Sequence, residues 1–519
     1  MPQSAKPCGF FILNINTNIQ KNLAFKNKIR YNENNKNDAE VIFMNYNGNK
    51  AENIKIAYVG GGSRGWAWGL MSDLAAADDI SGDVYLYDID YEAARHNEII
   101  GNQYNELPDA KSKWNYHASQ TAKEAMTDAD FVIISIMPGT FDEMESDVHT
   151  PEKYGIYQSV GDTSGPGGIL RAMRTVPMYE EIAGYVKEYC PNAWVISYTN
   201  PMTLCTKTLY RVFPEIKAFG CCHEVFGTQG LLRAALFDIA GIETESRYEI
   251  KVNPVAINHF TWLTEAKYKN VDLFPIYEKF VEKYGDTGYM DETRERRMKE
   301  ALAISRDEYA RFACTDKVKM DLFRRYGYIA AAGDRHLAEF CEGKWYLGGT
   351  DTIERWGFGL TTVAWRKKDL RNRLAKSEAL RNGTEKVSIR GTGEEGVHQL
   401  RALLGLRELV TNVNIPNRGQ IPNLPMGAVV ETNAVFRPDS VTPVMAGEIP
   451  APIYPMVARI CGAQEMLDRA IAARDVEMIF NIFANDPLVT CTREEARALF
   501  REMVQNTKHY LTSYDLSKL

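Results

Sequence analysis

The sequence contains no apolar run that approaches the length of a membrane-spanning helix. A span needs about 18 or more consecutive apolar residues, and the short run GFFIL at 9–13 falls below both that length and the length of a signal-peptide core. This absence predicts a protein that does not use a membrane as a partner, and we expect it in the cytoplasm.

Cysteine is also scarce, with nine residues scattered through a chain of 519. An odd number of widely spaced cysteines in a chain of this size argues against a disulfide framework. We therefore expect reduced thiols, which are free for packing or for ligation.

An excess of positive charge is missing as well. Lys and Arg together number 61 against 68 Asp and Glu, the formal net charge is -7, and the basic residues are spread along the chain. A nucleic-acid-binding surface would require a basic patch or stripe, so this charge pattern argues against nucleic acid as a partner.

The first 50 residues differ in character from the rest of the chain. They are crowded with Asn and Lys and lack a sustained apolar period, which predicts a disordered extension over 1–50. Met44 lies about ten residues before the first convincing strand, and we hypothesise that the natural start is Met44.

From Ile54 onward, apolar strands alternate with helical segments. The run IKIAYVGGGSRG is a strand that enters a glycine turn, and DVYLYDID, ADFVIISI and NAWVISYTNP are further buried-strand patterns. This alternation predicts a doubly wound, Rossmann-type parallel sheet over 54–245. A charged helical segment at 291–312 and the late strand GAVVETNAVF predict a second, mixed α/β domain over 246–519, an arrangement like that of lactate and malate dehydrogenases.

The glycine turn has the pattern G-x-G-x-x-G, directly after a strand and at the start of a helix. In that setting the helix N-terminus can hold a pyrophosphate, and a carboxylate at the end of the next strand can bind a ribose. Asp88 lies 23 residues beyond Gly65, as this role requires, and favours NAD over NADP, although Arg64 could meet a 2′-phosphate. The predicted cofactor residues are Gly60, Gly62, Ser63, Arg64, Gly65 and Asp88. The alternative is that the glycines serve only close packing of helix and strand.

Two further segments, FGCCHEVF at 219–226 and AINHFTW at 256–262, bring cysteine and histidine close to predicted strand ends. A thiolate and an imidazole from different segments, with substrate oxygens completing the sphere, would form an open site for a divalent metal. Cys222 and His259 are the candidate ligands. Buried cysteine is also common in protein cores, so packing remains the alternative.

Several separated strings, taken together, resemble glycoside hydrolase family 4, the NAD- and metal-dependent glycosidases. They are YVGGGSRGW, GDTSGPGGILRAMRT, SYTNPM, CCHEV, INHFTW and GQIPNLPMGAVVE, and they occur in order from about 54 to about 450. The letters CHEV resemble the subgroup that acts on α-linked uronic acids, with α-galacturonides the nearest known activity. This family is an exception to the two-carboxylate scheme of glycoside hydrolysis.

The resemblance implies a role for each residue that matches a family motif. Cys222 and His259 would hold manganese or another divalent metal, and His223 would act as the acid that assists departure of the leaving group. Asn200 would contact sugar hydroxyls, and Asp162 would lie near the catalytic base. The implied chemistry is oxidation at sugar C3 by NAD, loss of the C2 proton, elimination of the glycosidic oxygen, addition of water and return of the hydride.

The base is assigned to the segment YGYIAAAGDRHLAEF, at 326–340. The resemblance implies a tyrosine there in phosphosugar members of the family and a carboxylate in this region of members with unphosphorylated substrates. We favour Asp334 on this ground. Tyr326, Tyr328 and His336 remain alternatives, and each could equally be ordinary helix or loop surface.

The expected sugar is a uronide. Phosphosugar members carry an arginine upstream of the G-[DQ] stretch, whereas the corresponding segment here, FDEMESDVHTPEKYG, is acidic and contains no arginine. A uronate carboxylate would need a fork-shaped donor, for which Arg171, Arg174 and Arg335 are candidates, or each could be an ordinary ion-paired arginine. Its residues Asp142, Glu143, Glu145 and Asp147 would repel a phosphate dianion unless they point outward.

Other activities remain open on the sequence alone. An α-galactosidase or α-glucosidase of the same family, an NAD-dependent hydroxy-acid dehydrogenase, and a non-catalytic nucleotide-sensing protein would share much of this pattern. The resemblance also implies assembly as a homodimer or homotetramer.

Overall fold

A computed structural model describes residues 44–291, 295 and 314–519 of the chain. The predicted disordered extension lies outside the described residues as far as residue 43, and so does nearly all of the predicted helix at 291–312. Residues Asn45–Asn47 form a strand that pairs antiparallel with the next one, and Asn45 lies opposite Glu52. The extension was therefore predicted too long, because a short polar hairpin arm carries no apolar signal.

The strands are β1 Asn45–Asn47, β2 Lys50–Val59, β3 Ile80–Tyr87, β4 Trp114–Ser119, β5 Phe131–Ile134, β6 Trp194–Ser197, β7 Lys217–Gly220, β8 Ile250–Ile257, β9 Phe260–Tyr268, β10 Val271–Asp272, β11 Ile329–Ala330, β12 Leu409–Pro416, β13 Val429–Arg437 and β14 Ser440–Pro443.

The helices in the described part of the chain are α1 Trp66–Ala75, α2 Tyr91–Gln103, α3 Ala122–Met126, α4 Phe141–His149, α5 Gly165–Tyr189, α6 Met202–Val212, α7 Glu224–Ala240, α8 Phe274–Tyr284, α9 Lys317–Tyr326, α10 Asp334–Phe340, α11 Gly343–Tyr346, α12 Thr350–Trp356, α13 Val363–Arg381, α14 Gly396–Leu403, α15 Tyr454–Ala472, α16 Val476–Ala484 and α17 Arg493–Thr507. None of them combines the length and apolar character that a membrane crossing requires.

The larger sheet has ten strands among the described residues, in the order β14-β13-β12-β7-β6-β5-β2-β3-β4, with β1 also paired to β2. The six neighbouring strands β7, β6, β5, β2, β3 and β4, in that order across the sheet, all pair in parallel. Taken in chain order they have the 3-2-1-4-5-6 arrangement of a dinucleotide-binding fold. The predicted doubly wound parallel sheet is therefore confirmed.

The late strands extend this sheet rather than forming one of their own. Strand β12 pairs antiparallel with β7 through Asn414 and Gly220, and β13 and β14 follow it. The predicted strand in GAVVETNAVF is confirmed as β13. Because the sheet includes chain segments from both sides of residue 245, the predicted division into 54–245 and 246–519 stays a prediction.

Strands β2 and β5 are buried on both faces, as parallel sheets require. Ile56, Tyr58 and Ile133 pack into the core on one side, while Ala57 and Val132 pack into the core on the other. This alternation follows from the two-residue period of a strand. Because helices cover both faces, the open part of this sheet is the edge where the parallel strands end.

A second, antiparallel sheet pairs β8, β10 and β11 with β9. It packs with helices α15–α17 around the largest apolar core, to which Phe260, Trp262, Phe480 and Phe500 belong. Eight of the nine cysteines lie in the described part of the chain, and all eight are free thiols. The expectation of reduced cysteine holds for these eight.

A buried ion pair joins helices α4 and α5. The guanidinium of Arg174 donates to both carboxylate oxygens of Asp147, and each side chain is 1% exposed. Arg174 also donates to the carbonyl of Pro138, 3.3 Å away. A buried pair of this kind contributes little in total but becomes very costly when one partner is removed.

We expect Asp147→Asn to lower the free energy of unfolding by about 3–5 kcal/mol, because it leaves Arg174 buried without a counter-charge. Urea unfolding followed by tryptophan fluorescence measures this change. Asp142→Asn is the matched control on the same helix, since Asp142 pairs with Lys367 at the surface and its replacement should have no measurable effect. Equal midpoints for the two variants would contradict the role given to the buried pair.

Candidate nucleotide and metal site

The glycine turn between β2 and α1 passes through a narrow gap. Gly60 has φ +90°, and a Cβ there would lie 2.1 Å from the carbonyl oxygen of Ser135, directly after β5. A Cβ on Gly62 would lie 2.6 Å from the Cβ of Ala93 in α2. Only glycine fits at either position, so close packing, the alternative interpretation of the motif, is itself part of what places the loop.

Asp88 fixes this loop from the end of β3. Its carboxylate accepts from the backbone N–H of Gly62 at 2.8 Å and of Asp90 at 2.9 Å, and burial raises the pKa of Asp88. The amide of Ser63 donates to the carbonyl of Gly60 at 3.0 Å. The six predicted cofactor residues therefore lie together at the carboxyl edge of the sheet, and the cofactor role itself stays a prediction.

Arg373 of α13, which sequence reasoning missed, also contacts this loop. Its guanidinium donates to the carbonyl of Arg64 at 3.0 Å. A Cβ on Gly65 would lie 2.3 Å from a nitrogen of the same guanidinium. The N-terminus of α1 has no side-chain cap. The loop thus presents free amides to a ligand while an arginine from the distant helix supports its outer side.

A cavity of about 290 Å³ opens beside α1, lined among others by Trp66, Tyr198 and Glu394. The Trp66 ring lies 5.3 Å from the Tyr198 ring and 6.2 Å from the His223 ring, measured between centroids. The cavity therefore lies between the nucleotide loop and the predicted acid.

His223 directly precedes α7, and half of its side chain is exposed. Its Nδ1 lies 3.2 Å from a carboxylate oxygen of Glu394, and this interaction raises the pKa of His223 despite partial burial. The raised pKa favours the imidazolium form near neutral pH. A positioned imidazolium at a cavity wall can donate a proton to a leaving group.

Asp162, His259 and His336 form a compact group of possible metal ligands, with one ligand atom from each lying within 4.8 Å of the others. The two imidazole rings are 3.8 Å apart between centroids. One carboxylate and two imidazoles supply oxygen and nitrogen donors that suit manganese and similar divalent cations.

The protonation states in this group suit a cation as well. Although burial opposes ionisation, His336, His259 and Arg171 hold the pKa of Asp162 well below its ordinary value. Burial and the neighbouring His336 lower the pKa of His259 to about 3. An ionised carboxylate and a neutral imidazole are the forms that bind a metal.

The backbone at His259 is unusual. His259 lies in the tight turn between β8 and β9 and has φ +63°, a conformation that residues other than glycine seldom adopt. Its Nδ1 lies 3.0 Å from the hydroxyl of Thr163, so Nε2 is the ring nitrogen left for a ligand. The two-residue turn between antiparallel strands itself favours a positive φ, and it fixes where the His259 ring points.

Cys222, the predicted partner of His259, is not a member of this group of three. Its thiol interacts with the side chain of Asn258, which directly precedes His259. Burial and the carboxylates of Glu431 and Glu224 raise the pKa of Cys222 well above its ordinary value. The thiol is therefore protonated without a cation, and a bound cation would favour the thiolate. Its role as a ligand stays a prediction.

The loop that carries Asp162 is tied to α10 by a buried carboxylate. Glu339 accepts from the backbone N–H of Val160 at 2.7 Å and of Gly161 at 2.9 Å, and burial raises the pKa of Glu339 to about 8. The sequence carried no signal for this role, because Glu339 lies within an ordinary helical pattern.

Asn200 follows β6, and its side chain reaches the carboxylate of Asp162. Its side-chain N–H donates to Asp162 at 3.1 Å, and its backbone carbonyl accepts from Nε of Arg171 at 3.0 Å. The structure thus brings two of the predicted substrate residues, Asn200 and Arg171, to the carboxylate of Asp162.

The other two candidate arginines are engaged elsewhere. Arg174 is paired with Asp147 and buried, and so cannot reach a substrate. Arg335 donates to the carbonyl of Ser159 at 2.8 Å and to the hydroxyl of Thr361. Arg335 therefore holds two segments of the site wall together.

The acidic segment at 141–155 does not supply the predicted repulsion. Besides the buried Asp147, Glu143 accepts from Thr140 within the capping box of α4. Asp142 and Glu145 pair with Lys367, and Glu152 lies 2.9 Å from Nδ1 of His149. These charges are neutralised or capped, so the charge of this segment does not discriminate against a phosphate.

Asp334, the predicted base, points away from this group. Its carboxylate accepts from the backbone N–H of Val318 at 3.2 Å and of Lys319 at 3.0 Å, in the first turn of α9. Burial and the neighbouring Asp316 raise the pKa of Asp334 to about 7. This placement corrects the prediction, because a carboxylate that is fully buried and occupied by a helix start cannot approach a substrate proton.

Of the three alternatives to Asp334, the structure brings one into the site. Tyr326 packs its ring against Trp262, and Tyr328 packs on the edge of the same apolar core. The ring of His336 lies against that of His259 at a tilt of 32°. Its buried Nδ1 has no hydrogen-bond partner among the described residues, and its Nε2 lies 3.7 Å from Glu224. The correct segment was predicted, and the residue within it was not.

Models of known protein families match almost the whole described chain. The model described as family 4 glycosyl hydrolase matches residues 55–237, and the model of its C-terminal domain matches residues 255–489. An α-galacturonidase of Thermoanaerobacterium saccharolyticum is 56% identical over 473 residues, which are 91% of this chain and 100% of the relative.

Two solved structures are similar to this fold. The structure of LplD from Bacillus subtilis, described as a glucosidase, has a TM-score of 0.81 and 48% identity, and the match covers 87% of this chain and 100% of that one. The 6-phospho-β-glucosidase of Thermotoga maritima, solved with manganese, NAD⁺ and glucose-6-phosphate, has a TM-score of 0.66 at 20% identity, covering 88% and 99%. The second likeness concerns the fold alone.

We expect Asp334→Ala to lower the free energy of unfolding by about 1–3 kcal/mol, because two buried N–H groups of α9 lose their acceptor. Asp334→Asn keeps one acceptor oxygen and should lose less. Thermal and urea unfolding of the two variants test this order. An Asp334→Ala protein as stable as the wild type would show that α9 does not depend on this carboxylate.

Proposed function

The chain belongs to glycosyl hydrolase family 4, and from this premise we propose that it hydrolyses α-linked galacturonic acid residues with NAD and a divalent metal. The observation that carries the proposal is the 56% identity with an α-galacturonidase over its entire length. The CHEV segment and the group of Asp162, His259 and His336 support it.

The cofactor residues proposed from the sequence are retained. The six residues of the glycine loop and the end of β3 would bind NAD, with Asp88 at the ribose and the N-terminal amides of α1 at the pyrophosphate. Bound NAD would take a hydride from sugar C3 and return it after hydrolysis. The gap around Gly60 and Gly62 and the uncapped start of α1 support this assignment.

We propose that His259, Asp162 and Cys222 hold the divalent metal. The neutral imidazole of His259 and the ionised Asp162 are already in the forms that ligate, and Cys222 would ligate as a thiolate. When bound, the cation would polarise a sugar oxygen at C3 and so make the C2 proton more acidic. Asn200, which donates to Asp162, would orient the sugar hydroxyls beside it.

We propose His223 as the acid and His336 as the base. The carboxylate of Glu394 raises the pKa of His223 at the cavity wall and so favours its protonated form. His336 offers a buried Nδ1 that has no hydrogen-bond partner in the described part of the chain, while its Nε2 lies 3.7 Å from Glu224. Although burial opposes it, the neighbouring histidines and the N–H of Gly333 lower the pKa of Glu224 to about 2, so this carboxylate is ionised. We assign the proton to Nε2 because of that carboxylate, which leaves the Nδ1 lone pair to take the C2 proton.

His336→Gln should reduce kcat by about 10²–10⁴-fold, because the amide cannot accept the proton at this position. Asp334→Asn is the matched control from the same helix and should retain kcat per folded molecule. The dissociation constant for Mn²⁺, measured by electron paramagnetic resonance, separates the two roles open to His336. Unchanged Mn²⁺ binding in His336→Gln supports the base, and greatly weakened binding would make His336 a ligand instead.

The activity itself is tested with p-nitrophenyl α-glycosides of galacturonic acid, glucuronic acid, galactose and glucose, each with and without NAD, Mn²⁺ and dithiothreitol. We expect release of p-nitrophenol from the galacturonide, dependent on NAD and Mn²⁺ and favoured by the thiol, with no net NADH. Cleavage of the galactoside or glucoside instead would move the protein to another activity of the family. Steady NADH formation from a hydroxy acid without any cleavage would identify a dehydrogenase.

A cytoplasmic location and assembly as a homodimer or homotetramer complete the proposal. The support is the family premise and the free state of the eight described cysteines, which suits a reducing compartment.

A further inference from the structure

Positive charge around Asp162 exceeds what that carboxylate can balance. Arg171, Arg335 and Arg366 all interact electrostatically with it. Arg171 is committed through Nε to the carbonyl of Asn200, and Arg335 to Ser159 and Thr361. Within the described part of the chain, the guanidinium of Arg366 has no hydrogen bond or ion pair.

Helix α13 holds Arg366 in place because its first turn is anchored on both sides. The N–H of Thr361 donates to the carbonyl of Ser159 at 3.3 Å, which joins the helix start to the loop that carries Asp162. The N–H of Val363 donates to His149 at 3.1 Å, and its side chain is buried against α4. Arg366 follows within the same turn and bonds back to Thr362.

One face of α13 runs from the Asp162 group to the nucleotide loop. Arg366, Asp369 and Arg373 are spaced three and seven residues apart and so lie on one side of the helix. Asp369 is held by Arg373 at 2.7 Å, and Arg373 donates to the carbonyl of Arg64. Arg373 thus occupies the nucleotide end of this face, and Arg366 occupies the sugar end.

The surroundings of the Arg366 guanidinium favour the approach of an anion. Burial lowers the pKa of Arg366 to about 10, and the nearby Arg335 and Arg171 add to this shift. Asp162 and Asp369 oppose it, but Asp369 is already paired with Arg373. A mostly buried guanidinium beside two others is unfavourable unless a negative group approaches it. A carboxylate matches its planar fork and would form two charge-assisted hydrogen bonds.

We propose that Arg366 binds the C6 carboxylate of the sugar and so sets the preference for a uronide over a neutral hexoside. This inference rests on the proposed function, which places the sugar ring beside Asp162 and Asn200. It assigns the recognition to a residue of α13, whereas the sequence pointed to Arg171, Arg174 and Arg335. A nucleotide phosphate is the other anion that such a fork could bind, and the test separates the two.

The test uses the holoenzyme with NAD and Mn²⁺ and compares Arg366→Gln, Arg366→Lys and the control Arg371→Gln, which removes the same charge from an exposed position of the same helix. Calorimetry gives the dissociation constants of D-galacturonate and D-galactose, and fluorescence gives that of NADH. Turnover is measured with p-nitrophenyl α-D-galacturonide, with kcat and KM determined separately.

We expect Arg366→Gln to weaken galacturonate binding, and to lower kcat/KM for the galacturonide, by about 30-fold or more, as loss of one partner of a desolvated charge pair does. The losses in Arg366→Lys should lie between those of the wild type and Arg366→Gln, because lysine keeps the positive charge but lacks the planar guanidinium that can form two parallel hydrogen bonds. Affinity for D-galactose and NADH should change less than about threefold in every variant, and Arg371→Gln should match the wild type. If Arg366→Gln does not fold, Arg366→Lys carries the comparison.

Galacturonate affinity in Arg366→Gln equal to that of Arg371→Gln would overturn the inference, and so would a loss confined to NADH, which would assign Arg366 to the nucleotide phosphate. Failure of the proposed function looks different, since the wild type would then release no p-nitrophenol from the galacturonide. The binding comparison would still decide the role of Arg366. A wild-type holoenzyme that binds D-galacturonate no better than D-galactose would refute the specificity as well.

Discussion

The site depends on one enclosed negative charge, the carboxylate of Asp162. A charge taken out of water must be compensated. Here the hydroxyl of the adjacent Thr163 contributes, and the other groups come from segments far along the chain: the amide of Asn200 and the rings of His259 and His336. Each contact stabilises the ionised form, so the same carboxylate that organises the site is also ready to ligate a cation.

That compensation also explains why so much of the surrounding protein serves as support. Glu339 binds the backbone just before Asp162, and Arg335 joins that loop to the start of α13. Three guanidiniums, those of Arg171, Arg335 and Arg366, interact electrostatically with this carboxylate. A substrate with a carboxylate would therefore meet a site that is electrostatically prepared for it.

Sequence reasoning succeeded where a local pattern carries the physical cause. The two-residue period of buried strands and the glycine turn predicted the parallel sheet, because burial on both faces and close loop packing leave a direct trace in residue type. It failed for Asp334, because an aspartate that caps a neighbouring helix and an aspartate that acts as a base look the same in one dimension. It also missed Arg366 and Glu394, which lie about 200 residues beyond the motifs they serve.

By itself, the sequence determined the fold class, the edge of the sheet at which the candidate site lies, and the segments that contribute to that site. Only the tertiary structure decided which side chains within those segments meet. It brought His336 rather than Asp334 to His259 and paired Arg174 with Asp147. It also placed Arg366 within electrostatic reach of Asp162, with no hydrogen bond or ion pair to its guanidinium from the described residues. The physical reason is that periodicity and turn chemistry act over a few residues, whereas compensation of a buried charge depends on distances between distant segments, which only the packed chain defines.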